Sequence, residues 1–291
     1  MKVPTATSEA QLEQLRREAE INGRVSRPGI HPPNAPFPTT SYYELPLLKP
    51  PVWTWEVPAY FFVGGAGGAA AVIGVMARVS GSSPKLVRDA RWTAAIAAGL
   101  SMPLLIADLG RPERFLNMLR IFKPQSPMSV GAWIVAAFGG ASTAAVLFPR
   151  KLADISAFAS AALGLGMSTY TGVLLGATAI PVWSENVKTL PLHFGASALA
   201  SAASALELMG NKEKALHGLA LGAAAFETYI GFELERKGVK TDLLLLGGIL
   251  SGPLPLALRL LGVRRVAAAA QLAGSLITRF AWVQAAKESR K

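Results

Sequence analysis

Two carboxylic acids, two phenols, a histidine and several arginines carry the chemistry open to this sequence. Glu56 and Tyr60 stand four residues apart where an apolar run begins. Asp108 closes a second run, and Arg111 and Arg114 follow it. Tyr170 lies in Ser-Thr-Tyr-Thr-Gly toward the end of a fourth run, and His193 opens a fifth. Phenols donate hydrogen bonds, and carboxylates and imidazoles hold and pass protons. An acid and an arginine at the mouth of a membrane helix are expensive there and tend to be functional. The competing reading is a ring of interface anchors, since Trp and Tyr favour that depth anyway. It accounts well for Trp53 and Trp55 and poorly for Asp108, Glu207 and Glu227.

These residues need elements to position them, and composition says which kind. The chain has 291 residues, is 51% hydrophobic and only 16% charged, against about 25% charged for a soluble domain. An all-α, polytopic membrane protein is expected. Eight apolar spans can be read: Val57–Ala77, Thr93–Ala107, Met128–Phe148, Ile155–Ile180, Leu190–Leu208, Ala215–Phe232, Leu243–Leu261 and Val266–Val283. A crossing takes about 20 mostly apolar residues, so the second, sixth and eighth are short on charge-free length alone. Runs such as GlyGlyAlaGlyGly at 64–68 sit inside apolar helices and not after a strand. They read as close helix packing in a compact bundle and not as a dinucleotide loop.

Residues 1–50 precede the membrane domain of 51–291. They hold a short amphipathic helix and then a proline-rich, extended arm with Phe37, Tyr42 and Tyr43, aromatic residues that would serve little purpose in solvent. The first apolar run starts only near Val57, so no secretory signal is expected. The absence of cysteine excludes a cysteine-ligated iron–sulfur cluster, a disulfide and a thiolate nucleophile in this chain. The net charge of +11 sits in short loops between apolar runs, where lipid headgroups and a docked partner explain it better than nucleic acid.

With eight spans both termini lie on one face, here called the N-side. Alternation then brings Glu56, Tyr60, Asp108, Arg111, Tyr170 and His193 to that membrane edge. His193 and His217 open the fifth and sixth spans at opposite faces, and His31 is in the arm, so no two of them can ligate one haem. Glu227 lies in the N-side half of the sixth span and Glu207 near the far end of the fifth. A lipid-facing carboxylate costs roughly 2.5–3.5 kcal/mol on insertion scales, so both should face the interior. Depth allows a proton route from the N-side through Glu227 toward Glu207, although a helix-end position in reach of water explains Glu207 equally well. Arg279, near the end of the last span, is expected to snorkel. Lys and Arg divide evenly between the faces, so the positive-inside rule does not choose an orientation.

The stretch joining the second and third spans carries AspLeuGlyArgPro at 108–112, ArgPhe-x-Asn at 114–117 and SerProMetSer-x-GlyAlaTrp at 126–133. Together with TrpGluValProAlaTyrPhePheValGlyGlyAlaGlyGly at 55–68 and TyrThrGlyValLeuLeu at 170–175, it resembles the NrfD/PsrC family of integral-membrane subunits of polysulfide-reductase-type complexes. The resemblance implies about eight helices, no redox cofactor held by the chain, and a quinone, menaquinone or ubiquinone, bound near the face where a ferredoxin-like iron–sulfur subunit docks. That partner exchanges electrons with a catalytic subunit, often a molybdopterin enzyme, at the inner membrane of a prokaryote. Carried over by position, the quinone site involves Glu56, Tyr60, Asp108 and Tyr170, with Arg111 and His193 at the same edge. Family members often have His or Asn at the first-helix polar positions, where this chain has Glu56, Val57 and Tyr60.

The chemistry agrees with the resemblance. A quinone that takes two electrons also takes two protons, which calls for hydroxyls or acids beside its carbonyls and a route to water. The arm with Tyr42 and Tyr43, and the loop with Arg114, Arg120 and Lys123, are expected to form the partner-docking face. Two other classes compete: an ion or proton transporter, where helix-borne acids are also common, and a structural anchor without quinone.

Overall fold

A computed structural model describes residues 53–108, 113, 115–239 and 241–288, which belong to one compact unit. The arm of residues 1–50, with Tyr42 and Tyr43, and the loop residues Arg111 and Arg114 lie outside the described residues. So does most of the AspLeuGlyArgPro segment.

Among the described residues every regular element is helical. The long helices are α1 (Glu56–Val79), α2 (Pro84–Ala107), α4 (Pro127–Leu147), α5 (Arg150–Gly176), α7 (Thr189–Leu208), α8 (Lys214–Arg236) and α11 (Arg264–Glu288). Two short ones, α3 (Phe115–Met118) and α6 (Pro181–Ser184), sit in connections. The seventh span is broken into α9 (Asp242–Ser251) and α10 (Pro253–Leu260).

Among the described residues six segments are long and apolar enough to cross a membrane: α1, α2, α4, α5, the α9–α10 pair and α11. The eight expected spans therefore all correspond to helices, but α7 and α8 fall short of a span by composition. Packing explains α7. It lies against α1, α5, α8 and α11, and from Ala196 to Ser204 its buried residues are all Ala and Ser. A helix covered by protein need not be apolar toward lipid.

Local sequence explains the boundaries. Ser83 caps α2 by accepting from the Leu86 amide at 3.3 Å, ahead of Pro84. The helix therefore starts nine residues before the charge-free run, with Lys85, Arg88, Asp89 and Arg91 in its first turns. Ser126 and Pro127 repeat this arrangement at α4, and Thr241 caps α9. Helix α5 ends at Gly176, short of Ile180, because the chain restarts at Pro181 as α6.

Helix α1 is the hub. Its glycines approach a different neighbour on each face. A Cβ on Gly67 would collide with Ala97 of α2, and one on Gly68 would meet the Gly164 carbonyl of α5. The 64–68 run is thus packing surface, where small residues let backbones touch.

Candidate functional site

The strong α1–α2 packing brings the first residue of α1 to the cap of α2. There Thr54 joins two carboxyl groups. Its backbone N–H and its hydroxyl reach Asp108 Oδ1 at 3.2 and 2.9 Å, and the same hydroxyl contacts Glu56 Oε2. One hydroxyl hydrogen serves one acceptor at a time.

One helical turn below Glu56, on the same face of α1, lies Tyr60. It is 1% exposed, and its hydroxyl makes no hydrogen bond of ordinary geometry. Its phenol interacts with that of Tyr170, which reaches it from α5. Glycine makes room for both rings. The Tyr170 ring and hydroxyl fill the space that a Cβ at Gly131 would take, and a Cβ at Gly64 would lie 3.3 Å from the Tyr60 ring. Gly131 belongs to the GlyAlaTrp segment of α4, so that stretch acts by shape, admitting the Tyr170 ring between α4 and α5.

The four candidates of the quinone-binding group that are most specific to it therefore occupy two levels: Glu56 and Asp108 at the mouth, Tyr60 and Tyr170 beneath. His193 stands apart. It is buried, lies edge-on to Trp282 of α11 and accepts a long 3.4 Å hydrogen bond from its indole N–H at Nδ1. Ring contacts connect it to the tyrosines only in relay, through Phe194 and Phe61.

The loop after α3 is pinned to α4. Ser129 accepts from the Lys123 amide at 3.1 Å and donates to the Ile121 carbonyl at 3.4 Å. This holds Arg120 and Lys123 exposed, beside the exposed Leu116, Ile121 and Phe122. The loop is a built cap with a mixed basic and apolar surface.

A second polar group fills the interior of the other half of the bundle. Glu227 of α8 is 3% exposed and accepts from Gln271 of α11 at 2.8 Å. The same Gln271 amide also donates to the Ser251 carbonyl. That carbonyl sits where the chain breaks between α9 and α10, at Gly252 and Pro253. A broken helix at membrane depth is tolerated where side chains satisfy the freed backbone, and Gln271 does so. Arg279 does not snorkel. It is 1% exposed, turns inward, donates to the Phe194 carbonyl at 2.8 Å and lies 3.7 Å over the Phe194 ring. Glu227 supplies the opposite charge in its surroundings, and a cation over an aromatic face recovers part of the lost hydration.

Glu207 is neither lipid-facing nor a free helix-end acid. Arg259 of α10 donates to it and, at 2.8 Å, to Ser204, while His217 Nδ1 lies 3.2 Å away. Arg259, at the far-side end of the expected seventh span, is fully buried in this pair. Between the two acids lie the buried Ser197 and Ser201 hydroxyls of the α7 stripe, with Ser197 beside Glu227.

Sequence reasoning passed over Thr54, Gln271, Arg259 and Arg279 as site residues. Signals existed for two of them. Gln271 is the one amide in Val266–Val283, and Gly252-Pro253 announces a break in an apolar run. Nothing in the sequence alone pairs Thr54 with Asp108 across 54 residues.

Comparison with known proteins accords with this architecture. Over 220 residues the chain is 27% identical to the C subunit of polysulfide reductase from Wolinella succinogenes, an alignment covering 63% of this chain and 69% of that protein. The family model NrfD_2, described as polysulfide reductase, matches residues 39–290. The match takes in both levels of the candidate site and the buried polar group, and the chain belongs to the NrfD_2 polysulfide reductase family.

Proposed function

We propose that this chain is the quinone-reactive membrane anchor of a reductase complex, exchanging electrons between a membrane quinone and a docked iron–sulfur subunit. That subunit in turn serves a catalytic subunit, of which a molybdopterin enzyme is one kind. Family membership supports the anchor role. The observation that carries the quinone is Tyr60: a phenol buried to 1% exposure, with no hydrogen bond of ordinary geometry, that meets the Tyr170 phenol one turn below two carboxyl groups. A buried hydroxyl whose hydrogen bond is poorly formed is costly. A quinone carbonyl is an acceptor that would satisfy it. In this reading Tyr60 and Tyr170 hold the quinone oxygen. Glu56 and Asp108, joined by Thr54, take protons from the N-side surface and pass them inward. Exposed Arg120 and Lys123 face the partner.

The test is turnover of the intact complex with a water-soluble quinol or quinone analogue. Tyr60→Phe, Tyr170→Phe and Asp108→Asn should each cut it at least tenfold, with the partner subunits still copurifying. Unchanged turnover in both tyrosine variants refutes the assignment.

A route for protons across the membrane is a second part of the reading, favoured by the Glu227 group. A small cavity between α8 and the α9–α10 pair is lined by Glu227 and Glu235, giving the buried acid a way toward the N-side. Beyond Glu227, the Ser197 and Ser201 hydroxyls lead along α7 toward Ser204, Arg259 and Glu207. Buried polar atoms are almost always paired, by water where protein does not serve. Glu227 is the proton carrier in this scheme. Glu207, held by Arg259, is the fixed charge at the exit.

A further inference from the structure

The far-side ends of α1, α2, α4 and α5 meet around a cavity of about 360 Å³ that neither the tyrosine site nor the buried acids use. Four guanidiniums line it, those of Arg78, Arg88, Arg91 and Arg150, against the single carboxylate of Asp154. Asp154 is already engaged twice, by Arg78 at 3.3 Å and by Arg91. Arg91 nevertheless keeps a buried Nε without a partner. Arg88 lies 3.4 Å from Asp89, but Lys85 sits closer to that acid, at 2.6 Å. The cavity therefore holds an excess of positive charge.

Its setting adds to the charge. Gly81, Ser82 and Pro84 bring the N-terminus of the 24-residue α2 to the wall, and Arg150 is the first residue of α5. Both helix starts turn positive dipole ends toward the same space. The remaining wall is apolar, with Val87 and Val146, and Trp92 lines it while 46% exposed, as a side chain at the headgroup level would be. Guanidiniums set beside an apolar wall and a tryptophan at the headgroup level fit a lipid phosphate better than a free ion. We infer that this cavity binds the phosphate headgroup of an anionic membrane lipid, with Arg88 and Arg150 as its main phosphate ligands and Asp154 as the competing internal anion.

The inference concerns the far face and is independent of the quinone reading. Its test is native mass spectrometry of the full chain in mild detergent, offered phosphatidylglycerol, phosphatidylcholine or inorganic phosphate. Phosphatidylglycerol should be retained over phosphatidylcholine. Arg88→Gln and Arg150→Gln should each lower that retention about fivefold, the factor matching about 1 kcal/mol for a basic residue near an anionic surface. Asp154→Asn should raise it, which a folding defect would not do. Equal retention of the two lipids, retention of inorganic phosphate equal to that of phosphatidylglycerol, or lower or unchanged retention in Asp154→Asn overturns the assignment.

Discussion

Replacing Gly131 by alanine sets two effects of opposite sign against each other. In an ordinary helix interior, Gly→Ala stabilises by up to about 1 kcal/mol. Gly139 and Gly140, farther along the same helix, have nothing within 4 Å of a new Cβ, so alanine there should be neutral or stabilising. At Gly131 the methyl group would occupy the place of the Tyr170 ring and hydroxyl. To regain ordinary contact the ring must retreat by more than about 1 Å. Overpacking of this kind costs about 1–3 kcal/mol, which outweighs the propensity gain. A shift of that size in a positioning group can cost about a hundredfold in rate. Gly131→Ala should therefore lower the melting temperature slightly and quinone-linked turnover strongly, while Gly139→Ala leaves both in place. In a Tyr170→Ala background the Gly131→Ala penalty on stability should vanish, a coupling that a double-mutant cycle reads directly. If Gly131→Ala matches Gly139→Ala in stability and turnover, the ring is not held where the structure puts it, and the two-level site falls with it.

Three other outcomes follow from the buried charges and the cap. Arg259→Ala leaves Glu207 as a charge with only His217 beside it, and should cost about 3–5 kcal/mol in a denaturation assay, whereas Arg259→Met with Glu207→Leu should recover most of it. In vesicles with an internal pH dye, Glu227→Gln should reduce protons moved per electron while quinone chemistry continues; if Glu227→Gln and Glu207→Gln both leave the ratio unchanged, the route through the bundle does not exist. Arg120→Glu with Lys123→Glu should release the docked subunit on purification at low salt, and full retention would remove the loop from the docking face.

The sequence and the structure agree where one helix suffices to make the case. The runs around α1, α4 and α5 are long and apolar, and Gly-rich packing at 64–68 follows from residue size alone. Glu56 and Tyr60 share a face because they stand four apart. What was hidden needs two or more helices. Arg279 looks like an interface anchor until Phe194 and Glu227 are brought against it, and Arg259 looks like a cation at the far end of a span until α10, after the break at Gly252, is seen to bring it to Glu207. Hydropathy judges a helix as if lipid surrounded it. Mean hydropathy therefore leaves α7 just short of a span, although its uncharged length reads as one and its surroundings are other helices.

The backbone contact between Gly68 and Gly164 bears on leakage as well as on packing. With no side chain between them, α1 and α5 close on each other too tightly for a water molecule to pass. A protein that carries buried acids and arginines through the bilayer must be an insulator everywhere else, or the ion gradient leaks along the seam. Gly68 and Gly164 form such a seal between α1 and α5, on the opposite side of the bundle from the buried Glu227 and Glu207 groups. A bulkier residue at either position would meet backbone across the seam, pry the helices apart and cost the seal and stability together.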